Sequence, residues 1–174
     1  STIIETIGQL SARYAQDDTN IYDLGCSLGA ASLAMRQNIV ADNCKIISID
    51  NSKEMVDRCQ IHVNAFKAKT PCMVKQGDIL VENMHNASVI VLNFTLQFIA
   101  PEHRQTLLSN IANALVPGGI LVLSEKIYDE DPVCMDLLND LHHNFKRANG
   151  YSDLEIAQKR AAIENVMKPD HLNT

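Results

Sequence analysis

Short apolar runs alternate along this chain with stretches of helical period, and the alternation is regular enough to predict its elements. Residues 2–15 place Ile3, Ile4, Ile7, Leu10 and Tyr14 at helical spacing. A first strand is expected over 19–24, and Ala30–Asn38 reads as a helix carrying Leu33, Ala34 and Met35. Residues 44–50 are β-branched and predict a second strand. Ser52 is placed to cap the next helix, with Glu54 in its first turn, where a negative charge meets the positive end of the dipole. That helix carries Met55, Val56, Cys59, Ile61, Val63 and Phe66. A short third strand surrounds Met73 and Val74 and ends at Gly77-Asp78. Ala87–Asn93 is nearly continuous apolar sequence, the pattern of a parallel strand buried on both faces. Pro101 suits the first turn of a helix, Pro117-Gly118-Gly119 is expected to stop it, and residues 120–125 predict a fifth strand. Two further helices are expected over 131–147 and 153–166, with no sixth or seventh strand.

A helix followed by five strands alternating with helices predicts an α/β fold with right-handed connections. The sheet is expected to be doubly wound, Rossmann-like and mostly parallel, in a single domain over 1–174 with a helical part at about 131–167. A length of 174 residues suits one domain with one core. No apolar run approaches the roughly 20 residues needed to span a bilayer. No basic stretch followed by an apolar core opens the chain, so no signal peptide is expected. The net charge of −6 argues against a large RNA footprint, although Lys146, Arg147, Lys159 and Arg160 could form a local patch. Cys26, Cys44, Cys59, Cys72 and Cys134 lack CxxC spacing, which makes zinc and a disulfide framework poor readings. Reduced thiols in a cytoplasmic protein are the simplest account.

The turn after the first strand carries the first chemical signal. Asp23, Gly25 and Gly29 form D-x-G-x-x-x-G, not the G-x-G-x-x-G that seats a pyrophosphate on a helix amino terminus. A carboxylate at Asp23 would repel a pyrophosphate, and it suits a cofactor bearing an ammonium group. S-adenosylmethionine has an ammonium, a sulfonium and no phosphate. The plainer reading is a simple strand-to-helix turn with Asp23 as a cap. Asp50, at the end of the second strand, is the natural ribose ligand, or else a helix cap before Ser52. Asn51 would face the adenine. Asp78 would accept from the adenine amino group, or else serve only its own loop. Asn93 would meet the sugar or amino-acid part, or else bond its own backbone in a turn. Their shared placement at the carboxyl ends of parallel strands is what favours a ligand site.

These segments, with Leu115-Val116-Pro117-Gly118-Gly119, resemble class I S-adenosylmethionine-dependent methyltransferases, with Ser27 where the turn usually has its middle glycine. Residues 22–31, 91–98 and 145–152 resemble more specifically the carboxy-S-adenosyl-L-methionine synthase family, a bacterial group serving tRNA wobble-uridine modification. The resemblance runs over essentially the whole chain. It implies that the chain begins after the family's amino-terminal segment, with its cofactor-contacting tyrosine, and lacks the family's last strands. It further implies a reaction: S-adenosylmethionine and prephenate give carboxy-S-adenosylmethionine, phenylpyruvate and water. A partner tRNA carboxymethyltransferase then uses the product, so direct tRNA binding is not expected. By position, the resemblance makes Gly25, Cys26, Ser27, Asp50, Asn51, Asp78, Ile79 and Asn93 cofactor-binding residues. It also makes Arg160 the group that holds the new carboxylate, through its planar fork of donors. From the residues alone, Arg160 is a solvated helix charge. The resemblance also implies a homodimer, with the two carboxyl-terminal helices as a possible interface. His142, His143 and Tyr151 are weaker candidates for substrate contact. Cys26 is expected to pack through its backbone rather than act as a nucleophile, and no general base is assigned. Alternative readings are an ordinary methyltransferase acting on RNA or a small molecule, and a non-catalytic cofactor-binding module.

Overall fold

The computed structural model describes residues 2–128, 140 and 170–171. The strands are β1 (Asn20–Leu24), β2 (Lys45–Asp50), β3 (Cys72–Gln76), β4 (Ala87–Asn93) and β5 (Leu115–Ser124). The helices are α1 (Thr2–Tyr14), α2 (Ala30–Asn38), α3 (Lys53–Ala65) and α4 (Pro101–Ala114). The five strands form one sheet in the order β3-β2-β1-β4-β5, and each neighbouring pair is parallel. The chain steps outward from β1 to β3, then returns to the other side of β1. The strand order therefore reverses between β1 and β4, the place where open α/β sheets bind ligands.

Period-two alternation divides the core between the two faces. Ile21, Ile46, Val89 and Val91 face Ile7 of α1 and Ala31 and Met35 of α2. Tyr22, Leu24, Ile47, Ile49, Ile90 and Leu92 face Leu107 and Ile111 of α4. β4 is apolar on both faces and buried through Leu92, as its sequence predicts. Ser52 does cap α3, accepting from the Met55 N–H at 3.4 Å. The carboxyl end of α3 is held by Arg36, which donates to the carbonyls of Val63, Phe66 and Thr70.

Four expectations need correction. Phe66 is not carried by α3, which ends at Ala65; α3 meets the sheet through Cys59 and Val63, one helical turn apart, and leaves Ile61 67% exposed. α4 ends at Ala114, not at Pro117-Gly118-Gly119. Leu115 already pairs with Ala87, and Ile120 pairs with Val89, so the Pro-Gly-Gly run is extra length within an irregular β5. No helix separates β3 from β4. Finally, strands do follow the fifth: β6 (Ile127–Tyr128) and β7 (Asp170–His171) make a short parallel pair outside the main sheet. Of the helices expected over 131–147 and 153–166, only Asp140 lies within the described residues, and it is helical. Among the described residues no helix is long and apolar enough to cross a membrane.

The start of α2 depends on close packing. Gly29 has φ +86°, and a Cβ there would sit 2.6 Å from Cys59 Sγ. Gly29→Ala should therefore destabilise the protein by about 2–4 kcal/mol in urea unfolding, combining left-handed strain with overpacking. A Gly29→Ala/Cys59→Ala double variant should recover part of the loss. An unchanged midpoint for Gly29→Ala would show that α3 does not press on the turn.

Candidate functional site

A cavity of about 600 Å³ opens at the carboxyl ends of the strands. Gly25, Cys26, Ser27, Asp50, Asn51, Asp78, Ile79 and Asn93 all line it, so the fold brings together every expected cofactor-binding residue that is described. Arg160, with His142, His143 and Tyr151, lies outside the described residues.

The turn between β1 and α2 is built by satisfying its backbone. The Gly25 and Cys26 N–H groups both donate to the Ile49 carbonyl, at 2.8 and 3.0 Å. The Ser27 N–H donates to Asp50 Oδ2 at 2.9 Å, and the Ser52 N–H to Asp50 Oδ1 at 2.9 Å. Asp50 is thus both a cap-like acceptor and a cavity residue. Each of its oxygens keeps lone-pair capacity for ribose hydroxyls. Gly25 has φ +76°, and a Cβ there would sit 2.5 Å from Thr95 Cγ2. Ser27, at the position where glycine is usual, also adopts a left-handed conformation with φ +48°. The serine keeps the glycine's backbone shape at the cost of strain.

Asp23 reaches the cavity differently from the expectation. It is 1% exposed, and the Ser32 hydroxyl of α2 donates to its carboxylate. Ser32 in turn shares a 2.7 Å hydrogen bond with the Ser48 hydroxyl. The Ser32 backbone N–H also contributes, so Asp23 faces the first turn of α2 as well as the cavity, while Gly29 holds the N-cap position. Burial pushes the Asp23 carboxyl up to about 6, against the lowering effect of its bonds with Ser32, and the Asp50 charge adds to the rise. A bound ammonium would favour the ionised form. The neighbouring Cys59 thiol, and then burial, hold the Cys26 thiol well above its usual range, which agrees with a packing role rather than a nucleophilic one.

At the β4 side, Asn93 Oδ1 is buried and has no hydrogen-bond partner among the described residues. A buried acceptor without a donor carries a desolvation cost that a ligand N–H or O–H would relieve. Beyond it, Phe94 has φ +54°, and Thr95 donates its hydroxyl to the Leu24 carbonyl at 2.8 Å. Phe94, Thr95, Phe98 and Ile99 line the cavity, and the sequence reading did not single them out as site residues. The one signal for them was their place just after an apolar strand that ends at the switch point.

The lining includes three carboxylates, Asp23, Asp50 and Asp78, and no Lys, Arg or His among the described residues. Acceptors dominate, and the charge is negative. That donor set fits S-adenosylmethionine, with its hydroxyls, ammonium and sulfonium, and it opposes a pyrophosphate. Among the described residues no cluster suited to a metal ion occurs.

Two outcomes follow from this geometry. With its carboxyl raised in the folded state, Asp23 holds a proton more tightly there than in the unfolded chain between pH 4 and pH 6. Its contribution to stability should therefore be fully present below about pH 4, fall by at most about 3 kcal/mol as pH rises to 6, and stay constant above. Asp23→Asn should remove that slope in denaturant titrations across the same range. Separately, Ser27→Gly should keep cofactor binding, with stability unchanged or raised by up to about 1 kcal/mol. Gly25→Ala should weaken binding at least about tenfold, because its Cβ meets Thr95. Equal binding by the two variants in calorimetry would contradict this account of the turn.

Residues 21–119 match the family model described as a methyltransferase domain. Among curated proteins, the carboxy-S-adenosyl-L-methionine synthase of Colwellia psychrerythraea is 63% identical over 172 residues, covering 99% of this chain and 70% of that protein. The synthase of the same name from Vibrio parahaemolyticus is 60% identical over 170 residues, covering 98% and 69%. Among solved structures, the YcgJ protein from Bacillus subtilis aligns with a TM-score of 0.64 at 16% identity, covering 97% of this chain and 63% of that one. The glycopeptide N-methyltransferase MtfA, complexed with S-adenosyl-L-methionine, aligns with a TM-score of 0.58 at 14% identity, covering 72% and 50%. The two structures establish the fold alone. The curated relatives and the domain match go further: the protein is an S-adenosylmethionine-using transferase, and the chain belongs to the carboxy-S-adenosyl-L-methionine synthase family.

Proposed function

We propose that this protein converts S-adenosylmethionine and prephenate to carboxy-S-adenosylmethionine, phenylpyruvate and water. The product then supplies the carboxymethyl donor for wobble-uridine modification by a separate tRNA carboxymethyltransferase. In this reading the protein works in the cytoplasm as a homodimer and need hold no tRNA, in keeping with its net charge of −6.

The identity of 63% to a curated synthase is the observation that carries the reading. The cavity supports it in two ways. Its carboxylates and the Asn93 acceptor, which has no partner among the described residues, suit a cationic, donor-bearing cofactor. They also oppose an added carboxylate, so both prephenate and the carboxylated product need a cation. Arg160 is the residue proposed to supply it, in a bidentate pair with the new carboxylate.

The atoms balance without a side-chain base. Prephenate loses carbon dioxide and its ring hydroxyl as the ring becomes aromatic. The carbon dioxide replaces one hydrogen on the sulfonium methyl, and that proton leaves with the hydroxyl as water. The substrate thereby supplies the base. The role of Asp23 is electrostatic, since its carboxylate is buried and held by Ser32.

Incubation with both substrates should give carboxy-S-adenosylmethionine and phenylpyruvate by mass spectrometry. Appearance of S-adenosylhomocysteine with a methylated acceptor, and no carboxylated cofactor, would replace this reading with an ordinary methyltransferase. Arg160→Ala should lower product formation roughly 10- to 100-fold, the worth of a charge-assisted pair.

A further inference from the structure

We infer that Thr95 reads the amino-acid end of the cofactor as a hydrogen-bond acceptor whose polarity the fold fixes; this rests on the S-adenosylmethionine reading of the cavity. Strand order sets the argument. Asp78, Asp50, Gly25 and Asn93 stand at or just beyond the ends of β3, β2, β1 and β4, which are successive neighbours in the sheet. A ligand with its ribose at Asp50 and its adenine toward Asp78 lays its remaining arm over the ends of β1 and β4. In S-adenosylmethionine that arm carries the ammonium and the carboxylate.

Thr95 stands at this end of the cavity. Its methyl and hydroxyl fill the space beside Gly25, 2.5 and 2.6 Å from where a Cβ would be. The hydroxyl has one hydrogen. Its polar partners are the Leu24 carbonyl at 2.8 Å and the Asn93 carbonyl at 3.4 Å. Carbonyl oxygens only accept, so that hydrogen is committed to the backbone and Oγ1 offers only lone pairs to a ligand. Asn93 Oδ1, two residues earlier, is a second acceptor, buried and without a partner among the described residues. Between them Phe94 adopts φ +54°, a left-handed bend at the point where the chain leaves β4. Two neighbouring acceptors, Thr95 Oγ1 and Asn93 Oδ1, suit an ammonium at this spot, and the Asn93 amide NH2 is left to meet the carboxylate.

The test compares two ligands on the purified protein by calorimetry, without prephenate. S-adenosylhomocysteine has the amino-acid arm, and methylthioadenosine lacks it. Thr95→Val should bind S-adenosylhomocysteine about tenfold more weakly, yet hold methylthioadenosine within about twofold of wild type. Thr95→Ser, which keeps the hydroxyl, should restore S-adenosylhomocysteine binding. Equal losses for both ligands would reduce Thr95 to a support for the Gly25 turn and overturn the inference, as would no loss for either. If Thr95→Val does not fold, Thr95→Ala makes the same comparison. Because no reaction is run, failure of the synthase reading leaves these outcomes readable. Binding of neither ligand by the wild-type protein would remove the cavity reading on which the inference stands.

Discussion

The cavity hangs from the end of one strand. At the close of β2, the Ile49 carbonyl takes the amides of Gly25 and Cys26, and the Asp50 carboxylate takes those of Ser27 and Ser52. Three successive donors of one turn are thereby aimed at two successive residues of the neighbouring strand. Meeting that demand bends the chain into left-handed conformations at Gly25, Ser27 and Gly29. Thr95 closes against Gly25 from the β4 side, and Cys59 closes against Gly29 from α3. The shape of the turn is therefore a property of strand register and of the packing around it, not of the loop alone.

The same arrangement concentrates negative charge in two different ways. Asp50 is stabilised by backbone amides and sits at the cavity surface. Asp23 lies one residue short of the end of β1, beneath α2, where burial outweighs its Ser32 bonds and lifts its carboxyl to about 6. The cost of holding a carboxylate out of water thus falls on Asp23, while Asp50 accepts from two backbone amides at the cavity surface. A cationic ligand offsets that cost, which couples occupancy of the site to the stability of its floor.

Much of this was legible because the signals are local. Short apolar runs marked the strands, β-branching marked β2, and the glycines with Asp50 marked the turn at the cavity. What stayed hidden depends on pairings far apart in the chain. The Thr95–Leu24 bond spans 71 residues, and Asn93 Oδ1, buried without a partner among the described residues, stands at the end of β4, between β1 and β5 in the sheet. The Pro-Gly-Gly run misled for the complementary reason. It carries a strong local stop signal, yet Leu115 had already joined β4, so the run interrupts a strand rather than a helix. The exposure of Ile61 stayed hidden because apolar content, without phase, does not say which side of α3 meets the sheet. Ser27 shows the reverse: a departure from glycine that reads as a defect in the motif keeps the glycine's backbone shape.

An acceptor-rich cavity also bears on why one fold serves two chemistries. For methyl transfer, fixed carboxylates suffice: they hold a cationic donor and release a neutral thioether more readily. A carboxylated sulfonium reverses that balance, because the new anion sits in a field set up by Asp23, Asp50 and Asp78. A site of this charge can favour such a product only by importing a cation that plain methyl transfer does not need. On the proposed reading, that is the physical content of Arg160, and it lies far along the chain from every residue of the cofactor turn. Structural likeness at 14–16% identity shows the fold alone. On the proposed reading, the difference between the two chemistries rests on one guanidinium.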